Sequence, residues 1–122
     1  MATRKLKPVL PSLREKKRYL AFEVLSEEKI TDFDAVAESI LANSERFLGE
    51  LGMSKAGVLM MKDKWNEEMQ RGLLRVNHKN VGNLRAALTM IDKIKEEEVI
   101  VKSVGVSGTL KKAEKKYLKI AS

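Results

Sequence analysis

The sequence has no cysteine and a single histidine among its 122 residues, and aromatic residues make up only 5% of it. Without cysteine the chain forms neither disulfides nor thiolate metal sites, and one imidazole cannot by itself hold a structural zinc ion. No apolar run approaches the roughly 18 residues of a membrane span, and the basic N-terminus lacks the apolar segment of a secretory signal. These absences predict a reduced, cytoplasmic protein with no membrane partner.

The sequence also lacks a set of side chains that would carry catalysis. Asp32 and Asp34 fall at a predicted helix start, where carboxylates are typical helix caps, whereas a two-metal nuclease site needs several converging acids. His78 has no identifiable acid or nucleophile to form a catalytic triad with. The Ser107-Gly108-Thr109 segment lacks the length and the lysine of a P-loop. We therefore expect no catalytic residue, no bound metal and no cofactor in this chain.

What the chain has in excess is positive charge, and this charge lies at its two ends. The net charge is +7. Residues 1–18 hold seven basic side chains against one acid, and residues 108–122 hold five lysines against one glutamate. The stretch 19–107 has 12 basic and 15 acidic residues, so the body is slightly negative. Basic terminal segments of this kind favour nucleic-acid partners, and solubilising tails are the alternative interpretation.

Hydrophobic periodicity predicts the order strand, helix, strand, strand, helix, strand, helix. The strands are expected at 18–25, 56–65, 71–77 and 99–106, with a bulge near Ser103 and Gly105 in the last of them. The helices are expected from Phe33 to glycine stops at Gly49 and Gly52, over 81–94, and after Thr109. This order predicts an α+β, ferredoxin-like or RRM-like βαββαβ sandwich with an added C-terminal helix. Its sheet would have four antiparallel strands with two helices on one face.

The charge pattern and the predicted elements together divide the chain into three parts. Residues 1–18 are expected to form a basic N-terminal arm, which Pro8 and Pro11 would keep extended. Residues 19–107 form the RRM-like α+β domain. Residues 108–122 form a basic C-terminal helix packed on the domain. The packing side of that helix is expected to hold Leu110, Ala113, Tyr117 and Ile120, with the lysines outside it.

The third strand argues against base stacking on the sheet. An RNA recognition motif stacks bases on aromatic side chains of its first and third strands. Here Leu73 and Arg75 stand at two of those positions, and Tyr19 is the single outward aromatic of the first strand. We therefore predict that the sheet surface or its edges bind protein, with Tyr19 and Leu73 as interface residues. Trp65 is expected in the core, with an interface anchor as the alternative.

Phosphate contacts are instead predicted from the placement of basic residues. His78 is expected to be an ordinary loop histidine, and a phosphate contact beside Lys79 is its minor functional interpretation. The predicted RNA-binding residues are Arg14, Lys16, Lys17, Arg18, Arg75, Lys79, Lys111, Lys112, Lys115 and Lys116.

Four segments follow one another in a recognisable order: LPSLREKKRYLAFEV at 10–24, RGLLRV at 71–76 before His78 and Lys79, LRAAL at 84–88, and VSGTLKKA at 106–113. Their order and spacing resemble the protein component 2 family of archaeal ribonuclease P, the archaeal relative of the eukaryotic Pop-five subunit. The resemblance extends over about residues 9 to 118, nearly the whole chain.

This resemblance implies an RRM-like fold and a place in the ribonucleoprotein that removes 5′ leaders from precursor tRNA. In that enzyme the ribonuclease P RNA does the chemistry with bound Mg²⁺. The expected protein partners are protein component 3, a TIM-barrel-like protein related to the eukaryotic p-thirty subunit, and other ribonuclease P proteins. With protein component 3 a two-plus-two heterotetramer is expected, and precursor tRNA is a further candidate partner.

Three hypotheses follow for function. The first is a non-catalytic, RNA-binding subunit of ribonuclease P, whose basic ends neutralise phosphates of the catalytic RNA. The second is a ferredoxin-like protein-interaction scaffold whose basic tails only aid solubility. The third is a stand-alone nuclease, which would need a carboxylate cluster that the sequence does not offer.

Overall fold

The computed structural model describes residues 16–119 of the chain. The predicted N-terminal arm before residue 16, with the predicted RNA contact Arg14, lies outside this range, as does the predicted packing residue Ile120. Within the range, five strands and three helices follow one another. Strands are β1 (Lys17–Ser26), β2 (Leu59–Met60), β3 (Arg71–Asn77), β4 (Lys93–Ile94) and β5 (Glu97–Ser107); helices are α1 (Phe33–Ala56), α2 (Val81–Leu88) and α3 (Leu110–Ala113), which continues as a π-helix over Glu114–Leu118.

The strands form one antiparallel sheet in the order β2-β3-β1-β5-β4. With β4 set aside, this is the strand arrangement of the predicted ferredoxin-like fold, and the α+β class is confirmed. β1 occupies the centre and pairs along most of its length with β3 on one side and β5 on the other. The register of β1 with β5 shifts between Ala21 and Phe22, where Ala21 faces Gly105 and Phe22 faces Ser103. The bulge predicted in the last strand is therefore confirmed.

The second strand is much shorter than predicted. The sequence pattern places it over 56–65, but pairing with β3 is limited to Leu59 and Met60. Ala56 still belongs to α1, and Lys62–Lys64 turn into one 3₁₀ turn. Three consecutive charged residues there have no apolar alternation to keep a strand half-buried, so the chain leaves the sheet after Met60.

Helix α1 runs further than its predicted glycine stops. Gly49 interrupts it with φ 79°, a left-handed value that glycine adopts without steric cost. A second helical stretch then resumes through Gly52 and ends at Gly57, whose φ is 61°. At its start the Asp32 carboxylate accepts hydrogen bonds from the amides of Asp34 and Ala35, at 3.0 and 3.3 Å. Asp32 is therefore the N-cap, as its position before an apolar-periodic segment indicates.

Helix α2 is shorter than predicted, because the prediction extends it to residue 94 whereas it ends at Leu88. Ile91 and Ile94 are buried as expected, but Ile94 lies in β4, which forms a tight hairpin with the start of β5. Glu97 and Glu98, which precede the predicted strand 99–106, are therefore strand residues. The sheet has five strands rather than the four that the sequence predicts.

The main core lies between the sheet and helices α1 and α2. Leu20, Phe22 and Val24 of β1 point into it together with Leu74 and Val76 of β3, as their alternation predicts. Trp65 packs against this cluster, with its ring centroid 6.2 Å from that of Phe22 and 5.8 Å from that of Phe33. The expectation that Trp65 is a core residue is confirmed.

A second, smaller core lies on the other face of the sheet, beneath α3 and its π-helical continuation, which we call the last helix (110–118). Ala21 and Leu73 of the sheet contact Ala113, Tyr117 and Leu118 of this helix. The predicted packing of Ala113 and Tyr117 on the domain is confirmed. The far end of the helix is fixed by side chains of the sheet: Arg71 donates to the Tyr117 carbonyl at 2.9 Å, and Asn66 donates to that of Leu118 at 3.3 Å.

Gly105 is the position that allows this helix to approach the sheet. A Cβ atom at residue 105 would lie 2.3 Å from the Tyr117 hydroxyl oxygen and 2.4 Å from the ring carbon that carries it. The Tyr117 hydroxyl donates to the Val106 carbonyl at 3.4 Å. The ring thus lies on the bare backbone of the β5 bulge, a close approach that only glycine permits.

An ion pair joins the start of α1 to the β4–β5 turn. Lys95 Nζ lies 2.8 Å from an Asp32 carboxylate oxygen. The hydrogen bond from Lys95, with those from the amides of the helix start, lowers the pKa of Asp32 below its ordinary 3.8, and the pKa of Lys95 is raised in return. The bond therefore stabilises the fold at neutral pH and is lost as the pH falls through the depressed pKa of Asp32.

We expect Asp32→Asn to be less stable than the wild type near neutral pH, since asparagine keeps the cap but loses the charge. The gap in melting temperature should narrow as the pH falls through the depressed pKa of Asp32, where the wild-type carboxylate also becomes protonated. Thermal denaturation between about pH 2 and 7 measures this. Lys95→Gln, which removes the other partner, should show the same convergence. A gap that stays constant over the whole range would contradict the assignment.

Candidate nucleic-acid interface

The antiparallel register brings distant basic residues to one end of the sheet. Because β1 runs antiparallel to both neighbours, its start lies beside the ends of β3 and β5. Lys17 pairs with Asn77, and Tyr19 pairs with Arg75 on one side and Ser107 on the other. The amide of His78 donates to the Lys16 carbonyl at 2.8 Å. We call this region the basic end; its charged residues are Lys16, Lys17, Arg18, Arg75, Lys79, Lys111 and Lys112.

The opposite end of the sheet carries a group of acidic residues, with Lys29, Lys93 and Lys95 among them. There β1 ends and β5 begins, and the Glu28 amide lies 3.4 Å from a Glu97 carboxylate oxygen. We call this region the acidic end; its acids are Glu27, Glu28, Asp92, Glu96, Glu97 and Glu98. Within residues 16–119, the basic residues near the two ends of the chain are therefore separated from these acids along the strand direction.

The sheet face on which an RNA recognition motif stacks bases is covered by the chain itself. The last helix lies across it, and Leu73 is fully buried under Ala113 and Leu118. A partner cannot reach Leu73 in this conformation, so its predicted role as an interface residue does not agree with its position. Tyr19, the other predicted interface residue, is half-buried at the edge of the same cluster. The periodicity of the last helix shows which side packs but not which sheet face receives it.

Arg75 lies in the part of this sheet face nearest the basic end. Its register partners are Tyr19 on β1 and Leu59 on β2. The Arg75 Nε is buried and has no hydrogen-bond partner within residues 16–119. A buried donor without an acceptor costs free energy unless a bound group satisfies it. Arg71 Nε and Trp65 Nε1 are buried and unsatisfied in the same way, so this feature of Arg75 is not by itself a sign of RNA binding.

The last helix separates its charges onto two sides. Its one acid, Glu114, turns toward the β2 side and forms an ion pair with Lys64 at 2.5 Å, which raises the pKa of that lysine. Lys112, Lys115 and Lys116 lie on the other side, next to Val106 and Ser107 of β5. They are exposed, and within residues 16–119 none of the three forms an ion pair with an acid.

The residues considered for chemistry have structural partners instead. Asp34 pairs with Lys62 at 3.3 Å, and Asp32 is the helix cap described above. His78 is exposed and begins a 3₁₀ turn before α2. In residues 16–119 no three histidine or acidic side chains converge into a metal site. None of the helices in this range is long and apolar enough to cross a membrane.

Sequence reasoning missed two features of this surface. The first is Ser107, which lines the lysine-rich side of the last helix. The acidic end was also missed, because its members are spread between residues 27 and 98 and come together only through strand pairing. The antiparallel topology is the signal that finds both, since it fixes which strand ends are neighbours.

The comparisons with known proteins agree with this architecture. The sequence model of the Rpp14/Pop5 family matches residues 18–118. The chain is 38% identical over 112 residues to ribonuclease P protein component 2 of Pyrococcus furiosus, covering 92% of this chain and 91% of that protein. It is 36% identical over 114 residues to the protein of the same name from Methanosarcina acetivorans, covering 93% and 83%.

Among solved structures, the fold is similar to a chain in the cryo-EM structure of yeast ribonuclease MRP. The TM-score is 0.54 over 85% of this chain and 79% of that one. The sequence identity of the pair is 14%, so the likeness concerns the fold.

Proposed function

The chain belongs to the Rpp14/Pop5 family, and from this membership we propose that it is a non-catalytic, RNA-binding protein subunit of ribonuclease P. Its role is to support the catalytic RNA that removes 5′ leaders from precursor tRNA. The structural observation that carries this proposal is the gathering of basic residues at one end of the sheet. Such an end fits a polyanionic backbone, whereas tails that only aid solubility need no common location.

The chemistry in this proposal belongs to the RNA, with Mg²⁺ bound there and none held by this chain. The phosphates of the RNA contact the basic end, and each neutralised phosphate releases counterions and makes binding more sensitive to salt. The same proposal places the protein in the cytoplasm.

The proposed protein partners are protein component 3 and the other ribonuclease P proteins. With protein component 3 the chain forms a two-plus-two heterotetramer in this proposal. The basic end is occupied by RNA in this arrangement, so a protein partner needs another surface. Leu25 and Ile100 face each other across β1 and β5 near the acidic end, and they are 41% and 64% exposed. An exposed apolar pair away from the phosphate contacts lets both partners bind together.

Reconstitution tests the function. The polypeptide alone should not cleave precursor tRNA, and the full set of ribonuclease P RNA and proteins should cleave it at the correct site. Omitting the RNA should reduce cleavage to background, and omitting this chain should lower its rate. Correctly placed, Mg²⁺-dependent cleavage by the polypeptide alone would show a stand-alone nuclease. An unchanged rate without the chain, and no RNA in a pull-down, would favour the scaffold with solubilising tails.

A further inference from the structure

We propose that the cleft between the last helix and the end of β5 is a binding site for one unpaired nucleotide of RNA. The cleft has a volume of about 420 Å³ and is lined by Val106, Ser107, Lys112, Lys115, Lys116 and Tyr117. This inference rests on the proposed function, because it assigns the class of RNA that the lysines of the last helix bind.

Within residues 16–119, no acidic side chain pairs with the lysines of the cleft. Lys112, Lys115 and Lys116 stand at i, i+3 and i+4 on one side of the last helix, a spacing that brings like charges together at a cost to helix stability. Glu114 does not relieve them, because it pairs with Lys64 on the opposite side. A bound phosphate would supply the missing negative charge, and three lysine ammonium groups can donate to its oxygens.

The shape of the cleft favours an unpaired nucleotide over a duplex. Its volume lies within the roughly 300–1,000 Å³ of small-ligand sites, and it is an open groove at the surface. A duplex offers phosphates on a convex surface and keeps its bases paired, whereas an unpaired nucleotide can place its base and ribose inside. The Ser107 side chain lies at the strand end that borders the cleft and adds a hydroxyl, which can donate or accept.

The wall of the cleft is held in place by the packing described for the last helix. Tyr117 is buried against Gly105, and Lys116 Nζ lies 5.6 Å from the centre of its ring. Because the ring face is already used, Tyr117 is not a platform for base stacking; it fixes the lysines relative to β5. The site therefore recognises the phosphate and the shape of the nucleotide, with little preference among the four bases.

The first test compares two variants of equal charge. The cleft variant is Lys112→Gln, Lys115→Gln, Lys116→Gln; the control variant is Lys29→Gln, Arg46→Gln, Lys93→Gln, whose three residues are exposed and lie outside the cleft. Fluorescence anisotropy measures the binding of a single-stranded RNA of about twelve nucleotides and of a duplex of the same length. The cleft variant should lose about tenfold or more in affinity for the single strand, and the control variant less than about threefold. For the duplex the cleft variant should lose clearly less affinity than for the single strand, since only the phosphate contact of Lys112 in the basic end is affected.

A second measurement avoids the change in net charge. Backbone amide NMR shifts of the full chain are followed during titration with adenosine 5′-monophosphate and, separately, with inorganic phosphate. Saturable shifts are expected at Ser107, Lys115 and Lys116, and they should report tighter binding of the nucleotide than of phosphate. Ser107→Ala should weaken the binding of the nucleotide.

Equal losses for both charge variants on the single strand, or equal affinity of the cleft for phosphate and nucleotide, would overturn the proposal. If the cleft variant supports reconstituted ribonuclease P as well as the wild type does and binds the single strand unchanged, the nucleotide site is refuted but the proposed function is not. If the wild-type chain has no effect in reconstitution, the proposed function itself is refuted.

Discussion

Replacing Gly105 by alanine is expected to lower the free energy of unfolding by about 2–3 kcal/mol, a large effect for one methyl group. The new Cβ would lie 2.3 Å from the Tyr117 hydroxyl oxygen, far inside van der Waals contact. The ring cannot move aside without lifting the last helix, since Ala113, Tyr117 and Leu118 pack as one cluster on Ala21 and Leu73. Chemical denaturation of the full chain measures the loss.

Gly108→Ala is the matched control, because no atom lies within 4 Å of a Cβ at that position. Its stability should be close to that of the wild type. In a Tyr117→Leu background the clash partner is gone, so Gly105→Ala should cost much less there, and the two substitutions should not be additive. Additive effects, or a Gly105→Ala variant as stable as Gly108→Ala, would contradict the close approach.

The second large effect is expected for charge removal at the start of β1. Lys16→Gln, Lys17→Gln, Arg18→Gln together should weaken binding to ribonuclease P RNA and flatten its salt dependence. Each lost phosphate contact removes about 0.7–0.9 from the slope of log affinity against log salt, so three contacts remove up to about 2.7. Affinity measured at several salt concentrations gives the slope, and a melting curve shows whether the fold is intact.

The variant Lys29→Gln, Arg46→Gln, Lys93→Gln again serves as the charge-matched control. It also removes three positive charges, but from exposed positions outside the basic end, so the slope of log affinity against log salt should change little. If the two variants flatten the slope equally, the basic residues act through net charge alone, and the solubilising-tail interpretation takes the place of a defined interface.

The sequence was sufficient to predict the strands with half-buried faces. Leu20, Phe22 and Val24 alternate with more exposed neighbours, and Leu74 and Val76 do the same, so β1 and β3 were placed almost to the residue. The same reasoning failed at Ile91 and Ile94, which stand at helical spacing after Leu88 but belong to a turn and to β4. Both are buried, and burial alone does not distinguish a helix from a hairpin when the apolar residues are few.

The candidate site was predictable in its residues but not in its arrangement. Counting charges identified Lys112, Lys115 and Lys116, yet their separation from Glu114 depends on Lys64, which is 50 residues away along the chain. The burial of Leu73 likewise depends on the sheet face that the last helix selects. Such choices are made by tertiary packing, and no local pattern in the sequence encodes them.

The division of the sheet into a basic and an acidic end has a consequence for the speed of assembly. A molecule with opposite charges at its two ends carries a permanent dipole moment, and the field of a polyanion turns it before the surfaces touch. Most encounters then begin with the basic end toward the RNA. The charges therefore increase the association rate constant as well as the lifetime of the complex. The acidic end then points away from the RNA and stays accessible to a protein partner.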